Sequence, residues 1–340
     1  MKEKNTAHKQ KNKFVEFLSL LWRTKKVAFF GMVVLIFFIL VAIFADVLAP
    51  QKMENGMLAS SLIDAGKAPS LQHPLGTDAM GVDMLSYMIY GARTSVILGI
   101  TCTILSTVIS VVIGVASAVI GGKFDLILQR FIDAWQCIPG MLIMLIMMTM
   151  LGSGMLPMII VLSIPGGIGG SRMIRSAAIS VKDSGYCNMS KMLGGKNVWR
   201  MVYHVLPNIL PLVLMNLANS LGGTIMMEAT LNFLGFGVNI NTPSWGYILT
   251  SQGRSKMYTA PWIGLAPGLA ITIMVFAAAM FGDGVRDILD PRLKGGMGSF
   301  SLKKSAGSPT STSLPEKTAR SPDLNCGPFF AWIRKISLVK

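Results

Sequence analysis

The chain has 340 residues, 52% of them hydrophobic and only 14% charged, with a net charge of +15. Such an apolar composition excludes an ordinary soluble protein and predicts an integral membrane protein. Residues 1–26 carry 8 basic and 2 acidic side chains and residues 299–340 carry 7 and 2, so the ends hold most of the excess charge; that distribution fits cytoplasmic flanks drawn to anionic lipid and speaks against a nucleic-acid groove, where basic residues interleave with aromatics.

Residues 1–26 read as a basic cytoplasmic N-terminus. The apolar run 27–45 that follows has 19 residues, which at about 1.5 Å per residue matches a hydrocarbon core of about 30 Å. Arg23, Lys25 and Lys26 flank it as the n-region of a signal peptide would. The length of the run and the residues before it instead predict an uncleaved anchor that starts inside. Residues 46–93 read as a polar external loop, with Lys52, Lys67 and Arg93 against five acidic residues.

Five further spans are expected at 94–120, 137–151, 155–170, 209–227 and 262–281, six in all. The third and fourth are separated only by Gly152-Ser-Gly154 and form a tight hairpin. Small residues in Gly114-Val-Ala-Ser-Ala118 and Pro165-Gly-Gly-Ile-Gly-Gly170 allow helices to approach closely. Asp125, Arg130 and Asp133 fall in a short connection and Glu228 at the outer end of the fifth span, all read as solvated or interfacial.

Segment 172–206 holds Arg172, Arg175, Lys182, Lys191, Lys196 and Arg200 against Asp183 alone. By the excess of Lys and Arg it is cytoplasmic, both termini are inside, and 228–261 is the second large external loop. After Lys294 the chain turns Gly-, Ser-, Thr- and Pro-rich, so 295–340 reads as a disordered tail. Its last residues, 329–340, read either as a short interfacial piece or as an extension without function.

No energy source is written into this chain. Gly122-Lys123 is followed by Phe124 and Gly195-Lys196 by Asn197, so neither offers the hydroxyl that a Walker A loop places on Mg²⁺. The motifs of serine hydrolases and zinc peptidases do not occur either. Cys102, Cys137, Cys187 and Cys326 have no CxxC spacing, and His8, His73 and His204 stand far apart. Neither a disulfide framework nor a metal site is expected. The near absence of charge inside the spans disfavours an ion-coupled carrier.

The cytoplasmic segment is where a partner would act. Gly194 follows a short apolar-polar stretch and Pro207 follows thirteen residues later, which describes helix, turn, second helix and return to the bilayer. Across Tyr186-Cys-Asn-Met-Ser-Lys-Met-Leu193, helical spacing gathers Met189, Met192 and Leu193 on one face and sends Asn188, Ser190 and Lys191 elsewhere. That face suits a groove in a soluble partner. It suits the membrane surface equally well.

Several ordered motifs carry a resemblance: His73-Pro-Leu-Gly-Thr-Asp78 with Gly81 and Asp83; Tyr90-Gly-Ala-Arg93; Gly121-Gly-Lys-Phe-Asp125 with Arg130 and Asp133; His204-Val-Leu-Pro-Asn208; Glu228-Ala-Thr-Leu-Asn-Phe-Leu-Gly-Phe-Gly237; Pro243-Ser-Trp-Gly246; and Gly282-Asp-Gly-Val-Arg-Asp-Ile-Leu-Asp-Pro-Arg292. In these the chain resembles the permease subunits of bacterial ABC importers, in the second-permease branch of dipeptide and oligopeptide systems, over all but the C-terminal tail. The family's loop signature is matched at Gly194, Leu206 and Pro207, with His204 in the Ile position, whereas its Glu-Ala-Ala reads Asn188-Met189-Ser190.

The resemblance implies an all-α fold of six transmembrane helices, the type I importer permease fold, N-in and C-in, with its core over 94–294. It implies a homologous second permease, two ATPase subunits that carry ATP and Mg²⁺, and an extracytoplasmic solute-binding protein; this chain itself would bind no cofactor and catalyse nothing. ATPase coupling would fall to Tyr186, Asn188, Met189, Ser190, Met192, Leu193, Gly194, His204, Leu206 and Pro207. Asp78, Asp83 and Trp245 would serve either binding-protein contact or the structure of the external loops. Nickel import is an alternative within the family, and an ion-coupled carrier or a scaffold for a soluble enzyme are alternatives outside it.

Overall fold

A computed structural model describes residues 26–54, 57–238, 242–253, 255–256 and 258–289. The basic N-terminus up to residue 25, the end of the last motif and the tail 295–340 lie outside the described residues. Helix α1 (Lys26–Ile43) fills the first expected span, and α2 (Ala45–Leu48) continues it outward. Strands β1 (Met53–Glu54) and β2 (Met57–Leu58) pair antiparallel, and a 3-10 turn follows at Leu62–Asp64.

Helix α3 (Met84–Ile120) begins at Met84 rather than at residue 94. Asp83 is the reason: its carboxylate accepts the backbone N–H of Ser86 at 2.8 Å and so caps the helix well before the apolar run starts. Residues 121–136, expected as a connection, form α4 (Gly122–Gln136), and α5 (Gly140–Leu151) follows after an 86° bend. Pro139 divides them, because it offers no N–H and drives Ile138 out of helical backbone. Among the described residues five helices are each long and apolar enough to cross a membrane, six spans if the bent pair α4–α5 is counted as one.

Gly152, at φ +81°, turns the chain back from α5 into α6 (Met155–Lys182). α6 runs past residue 170, through Arg172 and Arg175, since no helix breaker intervenes and Ile174 and Ala178 are buried on its inner side. Beyond lie α7 (Gly185–Met192), α8 (Asn197–Arg200), a π-helical turn Met201–Val205 and α9 (Leu206–Phe233). The span is continuous from Asn197 to Phe233, so it does not open at Pro207. The N–H of Leu206 reaches back to the carbonyl of Met201, a widened turn that makes room for the proline beside it. The external return holds α10 (Trp245–Ile248) and a π-helical turn Leu249–Gly253, and α11 (Trp262–Leu289) closes the bundle.

Small residues set the helix crossings. A Cβ on Gly114 of α3 would stand 2.7 Å from the carbonyl oxygen of Ser171, and one on Gly282 of α11 would stand 2.9 Å from that of Ala218 on α9. An outer cluster joins Leu98, Met148, Met158 and Leu231; a cytoplasmic one joins Val115, Ile174, Cys187 and Ile209.

Glu228 overturns its reading as an interfacial residue. It is 0% exposed, because α9 runs on to Phe233 and carries it inside the bundle. There the hydroxyl of Ser95 donates to one carboxylate oxygen at 3.2 Å and the amide of Asn232 to the other at 2.6 Å. Asp125 of α4 is also drawn inward, paired with Arg175, whereas Asp133 and Arg130 stay at the surface as expected, Asp133 pairing there with Arg172 and Arg130.

Candidate functional site

The cytoplasmic end is organised around α7, which hangs between the end of α6 and the start of α8. Val181 ends the approach by accepting the Ser184 hydroxyl at 2.6 Å, and Ser184 in turn accepts the backbone N–H of Asn188 at 3.0 Å. The side-chain amide of Asn188 donates to the carbonyl of Asp183 at 3.1 Å, a second tie across the same corner. The far end is a Schellman closure: Gly194 N–H bonds the carbonyl of Lys191 at 3.1 Å and Gly195 N–H bonds that of Ser190 at 2.9 Å. Gly194 stands at φ +83°, a conformation that side chains with a Cβ adopt only at a cost.

One residue anchors α7 and the opposite face is bare. Cys187 is fully buried in the cluster formed with Ala178, Val205 and Ile209, so the foot of the helix rests on both α6 and α9. Met189, Met192 and Leu193 are 60%, 83% and 82% exposed, and Tyr186 also faces out. Ser190 is half-buried against Gly195, where an added Cβ would come within 2.7 Å of its carbonyl and hydroxyl oxygens. His204, Leu206 and Pro207 lie at the entry to α9, partly buried, and the carbonyl of His204 accepts the Asn208 side-chain amide at 2.6 Å.

The sequence reading passed over three features of this end. The Cys187 foot is one. A second is the stack of Trp199 on Tyr203, ring centroids 3.9 Å apart and both rings half exposed, which the i, i+4 spacing of two aromatics could have signalled. The third is the pair of hydrogen bonds from Arg175 to Asp125, invisible in sequence because the partners are fifty residues apart.

The external residues behave differently. Asp83 caps α3 and also faces His73, Nδ1 to Oδ1 at 2.9 Å; Asp78 accepts the backbone N–H groups of Met80 and Val82, each at 2.8 Å. The Trp245 indole N–H donates to the carbonyl of Met88 at 2.9 Å, and its ring covers Gly91. All three side chains are buried and bonded within the external loops. Nearby, a hydrogen bond from the Lys67 ammonium holds the Asp64 carboxyl below its usual range. Among the described residues no three His, Cys, Asp or Glu side chains converge.

Comparison with known proteins adds two family matches. A profile described as binding-protein-dependent transport system inner membrane component matches residues 107–295, and one described as the N-terminal TM domain of oligopeptide transport permease C matches 21–69. The oligopeptide transport system permease protein OppC of Bacillus subtilis is 32% identical over 273 residues, 80% of this chain and 88% of that protein. The glutathione transport system permease protein GsiD of Escherichia coli is 31% identical over 274 residues, 81% and 89% of the two chains. Among solved structures, an inward-facing conformation of the MetNI methionine ABC transporter superposes with a TM-score of 0.50 at 16% identity, covering 61% of this chain and 98% of that one. At that identity the likeness is one of fold.

Proposed function

The chain belongs to the family of binding-protein-dependent transport system inner membrane components, and on that footing we propose that it forms half of the pathway of an importer for short peptides. It is the permease subunit of an ABC importer in the membrane. The peptide cargo is supported by relatives named for oligopeptide and glutathione transport. A homologous second permease completes the pathway, two ATPase subunits bind at the cytoplasmic face, and an external binding protein delivers the ligand.

The observation that carries this reading is α7, seated by Cys187 and bare at Met189, Met192 and Leu193. A groove on each ATPase receives that face, and methionine lets the contact repack through the cycle. ATP binding brings the ATPases together and carries α7 with them; α6 extends that motion into the membrane, since its 28 residues reach about 42 Å at the helical rise per residue. The spans then rock between inward-open and outward-open states, and ATP acts by binding one state better than the other. ATP and Mg²⁺ sit on the ATPases, and this chain supplies the pathway and the lever.

The test is Met189→Glu in the assembled transporter. Uptake is expected to fall at least about tenfold, the effect of roughly 1.4 kcal/mol at a contact, while the variant reaches the membrane at normal levels. Wild-type uptake under those conditions sinks the docking role of α7. Mass spectrometry of the ligand released from the co-expressed binding protein tests the cargo separately, with short peptides expected.

A further inference from the structure

Helix α1 packs on the bundle at both ends and, through Leu35, on Ala277 and Ala278 of α11, yet a groove remains along one side of it. Toward the cytoplasmic end a Cβ on Gly31 would stand 2.6 Å from the carbonyl oxygen of Ala277 on α11, and Gly284 is pressed as closely onto Ala28. Toward the outer end the Phe38 ring meets Trp245 edge-on with centroids 5.5 Å apart, and Arg93 Nε donates to the carbonyl of Ala42 at 2.9 Å. Between these contacts lies a groove of about 180 Å³. Leu35 and Ile39 of α1, Val96 and Ile100 of α3, Ile225 of α9 and Met274 of α11 are among its walls, and every side chain that lines it is apolar.

We propose that this groove binds one acyl chain of a membrane phospholipid, which completes the packing of α1 on the bundle. Protein interiors leave few voids larger than a water molecule, so a recess of this size is not ordinary slack. Water does not fill it, because it offers no polar partner, and an apolar cavity of about 150 Å³ stays dry and takes up a hydrocarbon such as benzene. Position selects the occupant. Leu35 lies at the middle of the span Lys26–Ile43 and Ile39 one turn further out, both within the apolar span, where the surrounding medium is acyl chain. Ile36, at the rim, is 45% exposed, so the groove opens toward that medium. Met274 gives it an adaptable wall. The inference rests on the membrane placement of α1 and not on what is transported.

Native mass spectrometry of the assembled transporter, stripped of lipid in detergent and titrated with a long-chain phosphatidylglycerol, tests it. One phosphatidylglycerol per copy of this chain is expected to be retained, with a rise of several degrees in the unfolding midpoint. Ile39→Phe and Ile100→Phe each place a ring in the groove; both are expected to weaken retention by about tenfold or more and to lose the thermal response. Phe37→Leu, on the exposed side of α1, is expected to keep both. The proposal is overturned if the wild-type complex retains no phospholipid, as would follow if a partner's side chain filled the groove, or if either filled variant that assembles retains it as the wild type does.

Discussion

Arg175 on α6 holds Asp125 on α4 through two parallel hydrogen bonds, Nε to Oδ1 at 2.7 Å and Nη2 to Oδ2 at 2.6 Å. Ser117 of α3 donates to the same carboxylate and Gln129 of α4 donates to Ser117 at 3.0 Å, so three helices meet at one acidic group. Arg175 stands about two turns before the end of α6, on the stretch that leads directly into α7. The pair thereby ties the stretch of α6 that leads into α7 to the bent pair α4–α5.

Replacing Asp125 by Ala leaves Arg175 without its planar partner in a partly buried site, at a cost of about 1–3 kcal/mol once solvent screening is allowed for. Uptake per ATP hydrolysed is expected to fall about tenfold, with hydrolysis itself retained. The exchange Asp125→Arg with Arg175→Asp is expected to recover part of the loss. Equal ratios of uptake to hydrolysis in the single variant and the wild type would show that the pair carries no motion.

Gly194 makes a sharper demand, because its φ of +83° closes the end of α7. Gly194→Val places a β-branched residue in left-handed backbone, a strain of about 1–2 kcal/mol, and opens the two hydrogen bonds that end the helix. Transport is expected to drop severalfold while the spans stay folded; the check is uptake alongside circular dichroism of the purified protein.

These two predictions also mark what could be read from the sequence. Gly194 was legible, since a glycine after a short apolar-polar stretch announces a helix end, and the exposed face of Met189, Met192 and Leu193 followed from spacing alone. The start of α3 was not, because hydropathy rises near residue 94 whereas the helix begins where Asp83 caps it. Hydropathy likewise missed the full reach of α6 and α9, whose polar ends remain helical beyond the apolar run. For Asp78, Asp83 and Trp245 the sequence left binding-protein contact and loop structure both open, because it does not show that their side chains turn inward.

Glu228 tests whether a buried carboxyl needs its charge or its hydrogen bonds. Glu228→Ala strands the Ser95 hydroxyl inside the bundle, at about 1–3 kcal/mol, and leaves the Asn232 amide only its bond to the backbone carbonyl of residue 228 at 3.1 Å. Glu228→Gln preserves both contacts, since the new amide can accept from Asn232 while donating to Ser95. The alanine variant is therefore expected to melt well below the wild type in detergent and the glutamine variant close to it. Equal losses in the two would assign the role to the carboxylate charge.

Gly91 and Trp245 make the last prediction, one about fit. A Cβ on Gly91 would stand 2.6 Å from Trp245 Cδ1 and 2.9 Å from Nε1, and the indole is fixed there by its bond to the Met88 carbonyl and by Phe38 packed against it. Gly91→Ala thus drives a methyl into a ring that has nowhere to retreat, an overpacking cost of about 1–3 kcal/mol. Trp245→Phe removes only the hydrogen bond and part of the ring, and in the same protein it relieves the clash. The double variant is expected to be more stable than Gly91→Ala alone, by thermal unfolding in detergent. If the two losses simply add, the rings and the glycine do not meet as described.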